Sequence, residues 1–291
     1  MSTTSTSGKV SGKVSGKVTV VTGAGSGIGR ELAVELSRRG ARVSGCDVDE
    51  TGLKETASRC AGEMHTAVLD MGDRDAVGGY AADVAAHFGQ VNQVYNNAGI
   101  AFSATVLESE WADYERVLRV NLAGVIHGTQ AFLPHLITSG DGHVVNVSSL
   151  NGYLAQPGMS HYCASKFAVR GFTESLRAEM LLERLPVRVS VVHPGGVATS
   201  ISDNALTAAR KAGHEVTAVH EARNRTYREK LLRLPADKAA TIIVDGVEKG
   251  RVRIRVGSDA VLVDRLVRLL PTTAGRIAVA LERRMLQAER G

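Results

Sequence analysis

Aromatic side chains make up only 4% of the 291 residues, with a single Trp, while Ala, Val, Leu and Gly are plentiful. A composition so poor in rings and rich in small aliphatics suits a parallel α/β sheet better than a β-sandwich. Cysteine is scarce too. Cys46, Cys60 and Cys163 are odd in number, widely spaced and form no CxxC pair, which argues against a disulfide framework or a thiolate metal site and predicts reduced thiols in a cytoplasmic protein. The Ser/Thr-rich start, Met1 to Ser7, lacks the basic and then apolar pattern of a signal peptide. No apolar run approaches the length of a membrane span, so a soluble chain is expected. No recognised nucleic-acid module is present either, and no nucleic-acid partner is expected. With 44% hydrophobic residues the chain can bury a substantial core, and its length fits one large domain.

The formal net charge is +5, and it is unevenly placed. Residues 251–291 hold nine Arg against Asp259, Asp264, Glu282 and Glu289, which accounts for the whole excess. The basic character therefore belongs to a tail. At the other end, Ser7-Gly-Lys-Val10 recurs as Ser11 to Val14 and as Ser15 to Val18. Only the last copy runs into a strand, so 1–15 reads as a flexible leader, too polar to repay its ordering.

Beyond the leader, apolar runs and helical patterns alternate, as βα units of a parallel sheet require. Strand-like runs are Val18–Val21, Arg42–Cys46, His65–Leu69, Gln93–Tyr95, Val144–Val147, Val187–Val192 and Arg253–Val256. Helical patterns fall at about 27–39, 50–60, 73–88, 109–136, 161–184 and 236–249. Seven strands fit a Rossmann-type doubly wound sheet with helices on both faces, occupying 16–257. The two longest helices are apolar around much of their circumference, for example at Phe167, Val169, Phe172, Leu176, Met180 and Leu181, which predicts a homodimer or homotetramer formed through them.

The first strand runs into Thr22-Gly23-Ala24-Gly25-Ser26-Gly27-Ile28-Gly29. In that strand-turn-helix setting Gly23 permits the tight turn, Gly27 lets backbone approach a pyrophosphate, Gly29 allows close packing, and the helix N-terminus faces the anion. Ser26 and Ile28 line the same turn. Asp47 closes the second strand some twenty residues on, where a carboxylate can hold both ribose hydroxyls of an adenosine. A 2′-phosphate ~4 Å from that carboxylate would cost on the order of 4 kcal/mol at moderate dielectric, and neither Ser26 nor Val48 offers a cation. NAD is therefore expected over NADP; capping of the next helix is the plainer role for Asp47. Asp70 and Met71, after the third strand, are expected near the adenine, with turn capping an equal reading for Asp70.

Tyr162 and Lys166 lie one helical turn apart, and Ser148-Ser149 ends an apolar run upstream. An unperturbed tyrosine of pKa about 10 is ionised about once in a thousand at neutral pH, too rarely for an efficient general base. An ammonium ~5 Å away at an effective dielectric of ~20 is worth roughly 3 kcal/mol, or two to three pKa units. The expectation is a tyrosine that titrates near working pH. Standing alone, the spacing would equally describe a half-exposed Tyr beside a solvated Lys.

Together these residues resemble the short-chain dehydrogenase/reductase family in its compact single-domain branch, from about Gly16 to Gly257. The glycine spacing matches that branch, and Asn96-Asn97-Ala98-Gly99 follows the fourth strand as the family's Asn-Asn-Ala-Gly does. The resemblance implies a catalytic tetrad of Asn121, Ser149, Tyr162 and Lys166. It also implies a nicotinamide-holding segment at Pro194-Gly195-Gly196-Val197-Ala198-Thr199, so Pro194, Gly195, Val197 and Thr199 join Gly23, Ser26, Gly27, Ile28, Gly29, Asp47, Asp70, Met71, Asn97, Ala98, Gly99, Tyr162 and Lys166 as expected cofactor contacts. Tyr162 would exchange the substrate proton, Ser149 would bind the substrate oxygen, Lys166 would acidify the tyrosine and grip a ribose, and Asn121 would hold a water leading to solvent. The implied activity is NAD-dependent hydride transfer with a secondary alcohol or ketone. Alternatives are an NADP-linked ketoreductase on a lipophilic substrate and a catalytically idle NAD-binding regulator.

The polar stretch from Thr199 to about Leu234 reads as an irregular substrate lid over 200–234. His214, Glu215, His220 and Glu221 within it match no standard ligand spacing, and no metal is expected. His193 reads as a buried strand-end residue and Cys163 as a packing residue. Residues 258–291 read as a basic amphipathic extension that packs over the substrate cleft or a neighbouring subunit, or attaches reversibly to anionic membrane.

Overall fold

The computed structural model describes residues 13–211, 213–214 and 216–287. The first copy of the tetrapeptide repeat, and Ser11 and Gly12 of the second, lie outside the described residues, as does Arg290.

Nine strands and eleven helices are described, in the order β1 (Val18–Thr22), α1 (Gly27–Arg38), β2 (Arg42–Asp47), α2 (Glu50–Arg59), β3 (Met64–Val68), α3 (Arg74–Phe88), β4 (Gln93–Asn96) and α4 (Trp111–Leu118). They continue with α5 (Gly124–Thr138), β5 (Gly142–Val147), α6 (Ser160–Leu182), β6 (Val187–Pro194), β7 (Val197–Ala198), α7 (Ile201–Lys211) and α8 (Ala218–Thr226). The last are β8 (Leu234–Pro235), α9 (Ala236–Glu248), β9 (Arg253–Val256), α10 (Ser258–Leu269) and α11 (Ala274–Gln287). All seven strands expected from the sequence form one sheet, in the order β3-β2-β1-β4-β5-β6-β9, and every pairing in it is parallel. β1, β4 and β5 are buried at every position, with valines on both faces and, among their few polar side chains, Asn96 and Asn146 hydrogen-bonded to one another inside.

One face of the sheet packs Leu32 and Leu36 of α1, Leu53 of α2 and Ile243 of α9. The other packs Val77 and Val84 of α3, Phe132 of α5 and Leu176 of α6. β1 pairs with β2 on one side and β4 on the other, so strand order reverses there, and the crevice at the carboxyl ends of β1 and β4 is where such a sheet takes ligands.

Three expectations need correction. Val14, assigned to the leader, is fully buried in the α1/α9 core, and its N–H donates to Glu248 Oε1 at 3.2 Å. An apolar side chain that finds such a slot has repaid its ordering, so the fold begins earlier than residue 16. The helix expected at 109–136 is interrupted by a π turn, Arg119–Ala123, because Asn121 turns its amide inward to bond backbone at Ile100. The lid is not irregular: α7 and α8 form there, followed by a π turn at Tyr227–Leu231. α7 buries only Ala205 and Ala209, an i, i+4 pair too small to give a strong apolar signal. The extension forms two helices, α10 and α11, and α10 buries Ala260 and Asp264. No helix among the described residues is long and apolar enough to cross a membrane.

Candidate active site

The carboxyl end of β1 and the start of α1 are shaped by glycines, and at Gly23 and Gly29 a side chain would collide with backbone. Gly23 and Gly27 hold φ of 68° and 53°, and a Cβ on Gly29 would stand 1.9 Å from the Gly23 carbonyl oxygen. A Cβ on Gly23 would press on Ala98 at 2.8 Å. The turn therefore offers bare backbone at a helix N-terminus, as a pyrophosphate requires. Thr22, not singled out from sequence, ties it to the next strand: its Oγ1 accepts from both Asn97 N and Ala98 N at 3.0 Å. Asn97 returns the bond, its Nδ2 donating to the Thr22 carbonyl at 3.0 Å.

Asp47 sits beside this turn, its Oδ2 accepting from Gly25 N at 2.8 Å and its Oδ1 from Asp49 N at 3.1 Å. The nearby cation, Arg30, is turned onto the Gly25 carbonyl and paired with Glu55. Asp70 accepts from Gly72 N at 2.8 Å and from Arg119 at 2.7 Å. Burial works to raise its pKa, but that amide and the guanidinium outweigh it and hold the carboxyl below its usual range. Asp70 thus caps its turn, and Arg119 links it to the π turn, a pairing that local sequence gives no sign of. Met71 buries its side chain, its Sδ 3.8 Å from Cys46 Sγ, so its part at the turn is a backbone one. Across the crevice, the segment after β6 folds back over the glycines: Thr199 Cγ2 would lie 3.3 Å from a Cβ on Gly27.

β5 and α6 carry the polar trio. The chain leaves β5 at two serines with different tasks. Ser148 is buried and its Oγ donates to the Lys166 carbonyl at 2.7 Å, fixing α6 to the strand. Ser149 is half-buried and close enough to the Tyr162 phenol to favour its ionised form, while its Oγ accepts from Asn151 N at 3.1 Å. Lys166 Nζ lies 5.7 Å from the Tyr162 ring centroid and donates to the Val147 carbonyl at 3.0 Å. Asn121 is fully buried. Its Oδ1 accepts from Ile100 N at 2.8 Å, and its Nδ2 donates to the Ile100 carbonyl at 2.9 Å and to Ser165 Oγ at 3.0 Å. Gly99 is where the groups converge: a Cβ there would meet Asn121 Oδ1 at 3.3 Å and Lys166 Nζ at 3.4 Å.

The electrostatics reverse one expectation. Desolvation pushes the Tyr162 phenol up to about 12, against the opposing influence of the Ser149 hydroxyl. It pushes the Lys166 ammonium down to about 8. The spacing does place amine and ring together, but the ammonium is aimed at a strand carbonyl, and burial sets the direction of both shifts.

His193 is fully buried at the end of β6, stacked 3.9 Å from the Tyr153 ring. A carbonyl only accepts, so Nδ1 carries the proton that binds the Ser149 carbonyl at 2.9 Å, and burial lowers its pKa to about 4. Burial likewise raises the Cys163 thiol. His214 bonds Asp113 at 2.9 Å; Glu215 and the side chain of His220 lie outside the described residues. A cavity of about 150 Å³ runs from Gly99 and Ile100 to Arg116 and, on α7, Ile201 and Asn204.

Residues 17–210 match the family model described as short chain dehydrogenase. SadH of Mycobacterium tuberculosis, an oxidoreductase by name, is 48% identical over 256 residues, 87% of this chain and 90% of SadH. Estradiol 17-beta-dehydrogenase 11 of Macaca fascicularis is 30% identical over 246 residues, covering 81% of this chain and 82% of its own. Among solved structures, a short chain dehydrogenase/reductase from Burkholderia phymatum in complex with NAD superposes with a TM-score of 0.81 at 30% identity, covering 88% of this chain and 94% of that one.

Proposed function

The chain belongs to the short chain dehydrogenase family of oxidoreductases, and from that premise we propose that it moves a hydride between NAD and a secondary alcohol or the corresponding ketone. The observation that carries the reading is the convergence of Ser149, Tyr162 and Lys166 beside a glycine turn that bare backbone alone can form. NAD, when bound, supplies the hydride acceptor or its reduced donor form. Gly23, Ser26, Gly27, Ile28 and Gly29 would cradle its pyrophosphate, Asp47 its adenosine ribose, and Asp70, Met71, Asn97, Ala98 and Gly99 the adenine side and the floor. Pro194, Gly195, Val197 and Thr199 would hold the nicotinamide end. Asp47 supports NAD over NADP, because the nearby Arg30 is already engaged by Gly25 and Glu55.

Tyr162 is the proton-exchanging group at the substrate oxygen, and Ser149 binds that oxygen and the phenol together. Lys166, beneath the ring and beside Gly99, steadies the phenolate once a positively charged partner and the substrate exclude water. Both amide protons of Asn121 are taken by Ile100 and Ser165, so it positions the Gly99–Ile100 segment and has only a lone pair left for the expected water. The small molecule enters through the cavity beside Gly99, with 200–234 as its lid. Tyr162→Phe should keep the fold and NADH binding and lose at least about a hundredfold of turnover, measured by absorbance of the reduced nicotinamide across alcohols and ketones of graded size. Turnover near the wild-type rate would remove the acid/base role.

Phe167, Leu181 and Leu182 remain exposed on α6, which supports a homodimer or homotetramer built on the long helices. Leu262, Leu269 and Leu270 of the basic extension are exposed as well, which supports contact with anionic membrane as a second reading for that segment alone. Liposome cosedimentation of the full chain against a full-length variant with Leu262, Leu269 and Leu270 each changed to Ser tests it; equal partitioning counts against.

A further inference from the structure

An acidic side chain of the C-terminal extension reaches the loop between β6 and β7. Gly257, with φ of 100°, lets the chain turn from β9 into α10, and Asp259 stands in the first turn of that helix. Its Oδ2 accepts from Gly196 N at 2.6 Å, and its Oδ1 from Ala260 N at 2.9 Å. The carboxylate fits only because two neighbours lack side chains: a Cβ on Gly195 would lie 2.2 Å from Oδ1, and one on Gly257 2.4 Å from it. Gly195 N donates meanwhile to the Val256 carbonyl at 2.9 Å. Both N–H groups that open the loop are thus held by the stretch running from β9 into α10.

α10 is itself firmly seated. Asp264, buried, accepts from Arg255 at 3.1 Å and from Arg268 at 2.9 Å, and Ala260 is fully buried. The loop needs such an anchor, since two adjacent glycines lose more freedom on ordering than any other pair. A short bond from a neutral amide to a carboxylate is among the stronger ones available.

We propose that Asp259 is a positioning residue of the dinucleotide site, fixing the Gly195–Gly196 turn and, through it, Val197 to Thr199 against the nicotinamide half of the cofactor. This rests on the reading that the loop holds that half. It makes the extension part of cofactor binding, although Asp259 lies well beyond the residues that match the family model. A loop ordered in advance binds more tightly than one that must be ordered by its ligand.

The test is titration of the full-length wild type, Asp259→Ala and Asp259→Asn with NADH and with ADP-ribose, which has everything but the nicotinamide. Asp259→Ala should bind NADH about fivefold more weakly, the carboxylate being partly open to solvent, with ADP-ribose affinity unchanged. Asp259→Asn keeps an acceptor for Gly196 N and should fall between. Equal losses for both ligands would mean general loosening of the fold and overturn the proposal, as would an unchanged NADH affinity in both variants. A wild type that binds NADH no better than ADP-ribose would instead remove the underlying reading of the loop, and the proposal with it.

Discussion

Lys166→Met should yield an inactive protein that is more stable than the wild type at neutral pH. Lys166 is 3% exposed, and burial has moved its pKa from 10.5 to about 8. Below pH 8 the lysine is protonated folded and unfolded, and the folded state bears the cost of the buried charge, about 3 kcal/mol. Methionine has a similar unbranched shape and no charge; it forfeits the bond to the Val147 carbonyl, about 1 kcal/mol. The net gain is about 2 kcal/mol, or about 5 °C in Tm for a chain of this size. Between the folded pKa of about 8 and the unfolded 10.5, only the unfolded lysine holds a proton, so wild-type stability rises with pH relative to the variant. The advantage of the variant should shrink through that window, vanish inside it, and turn into a deficit of about 1 kcal/mol toward its upper end, where only the lost hydrogen bond remains. Tyr162 acts in the opposite sense, ionising at 10 when unfolded and at about 12 when folded, so it lowers stability in that later range; present in both proteins, it cancels in the difference. Urea unfolding at several pH values and one protein concentration measures this directly. A variant less stable at pH 7, or a difference that does not change with pH, would refute the assignment of a buried charge.

Asp47→Ser should lift NADPH binding toward that of NADH. The wild-type gap should be on the order of a hundredfold, since the facing charges are worth about 4 kcal/mol before relaxation; equal wild-type affinities for the two would end the argument. Val14→Ala should cost about 1.5 kcal/mol in urea unfolding, the loss expected when a fully buried valine is truncated. An unchanged midpoint would return Val14 to the leader.

Strands and glycine turn were legible because each is a local pattern: β1, β4 and β5 carry short clusters of valine or tyrosine between helical segments, and the turn carries its glycines in sequence. The Tyr162–Lys166 pair was legible as a juxtaposition, since α6 puts i and i+4 on one face. The direction of their pKa shifts was not, because desolvation depends on what the rest of the chain packs around them. Asn121 could be placed in a helix, whereas the π turn around it follows from a bond to Ile100 that helical periodicity does not encode. α7 escaped notice because alanine burial hardly differs from a polar background in so short a helix. The bond from Asp259 to Gly196 joins residues far apart in the chain, and no spacing rule reaches that far.

β7 and β8 pair over only two residues each, Val197 with Leu234 and Ala198 with Pro235, yet they close the neck of everything between them. The excursion carrying α7 and α8 leaves and re-enters at one clamped gate. Between the clamp and a few further ties, His214 to Asp113 and Tyr227 to Gln156 among them, the excursion has its own outline. On the proposed reading, what the enzyme accepts can diversify there without a change in how the dinucleotide is held.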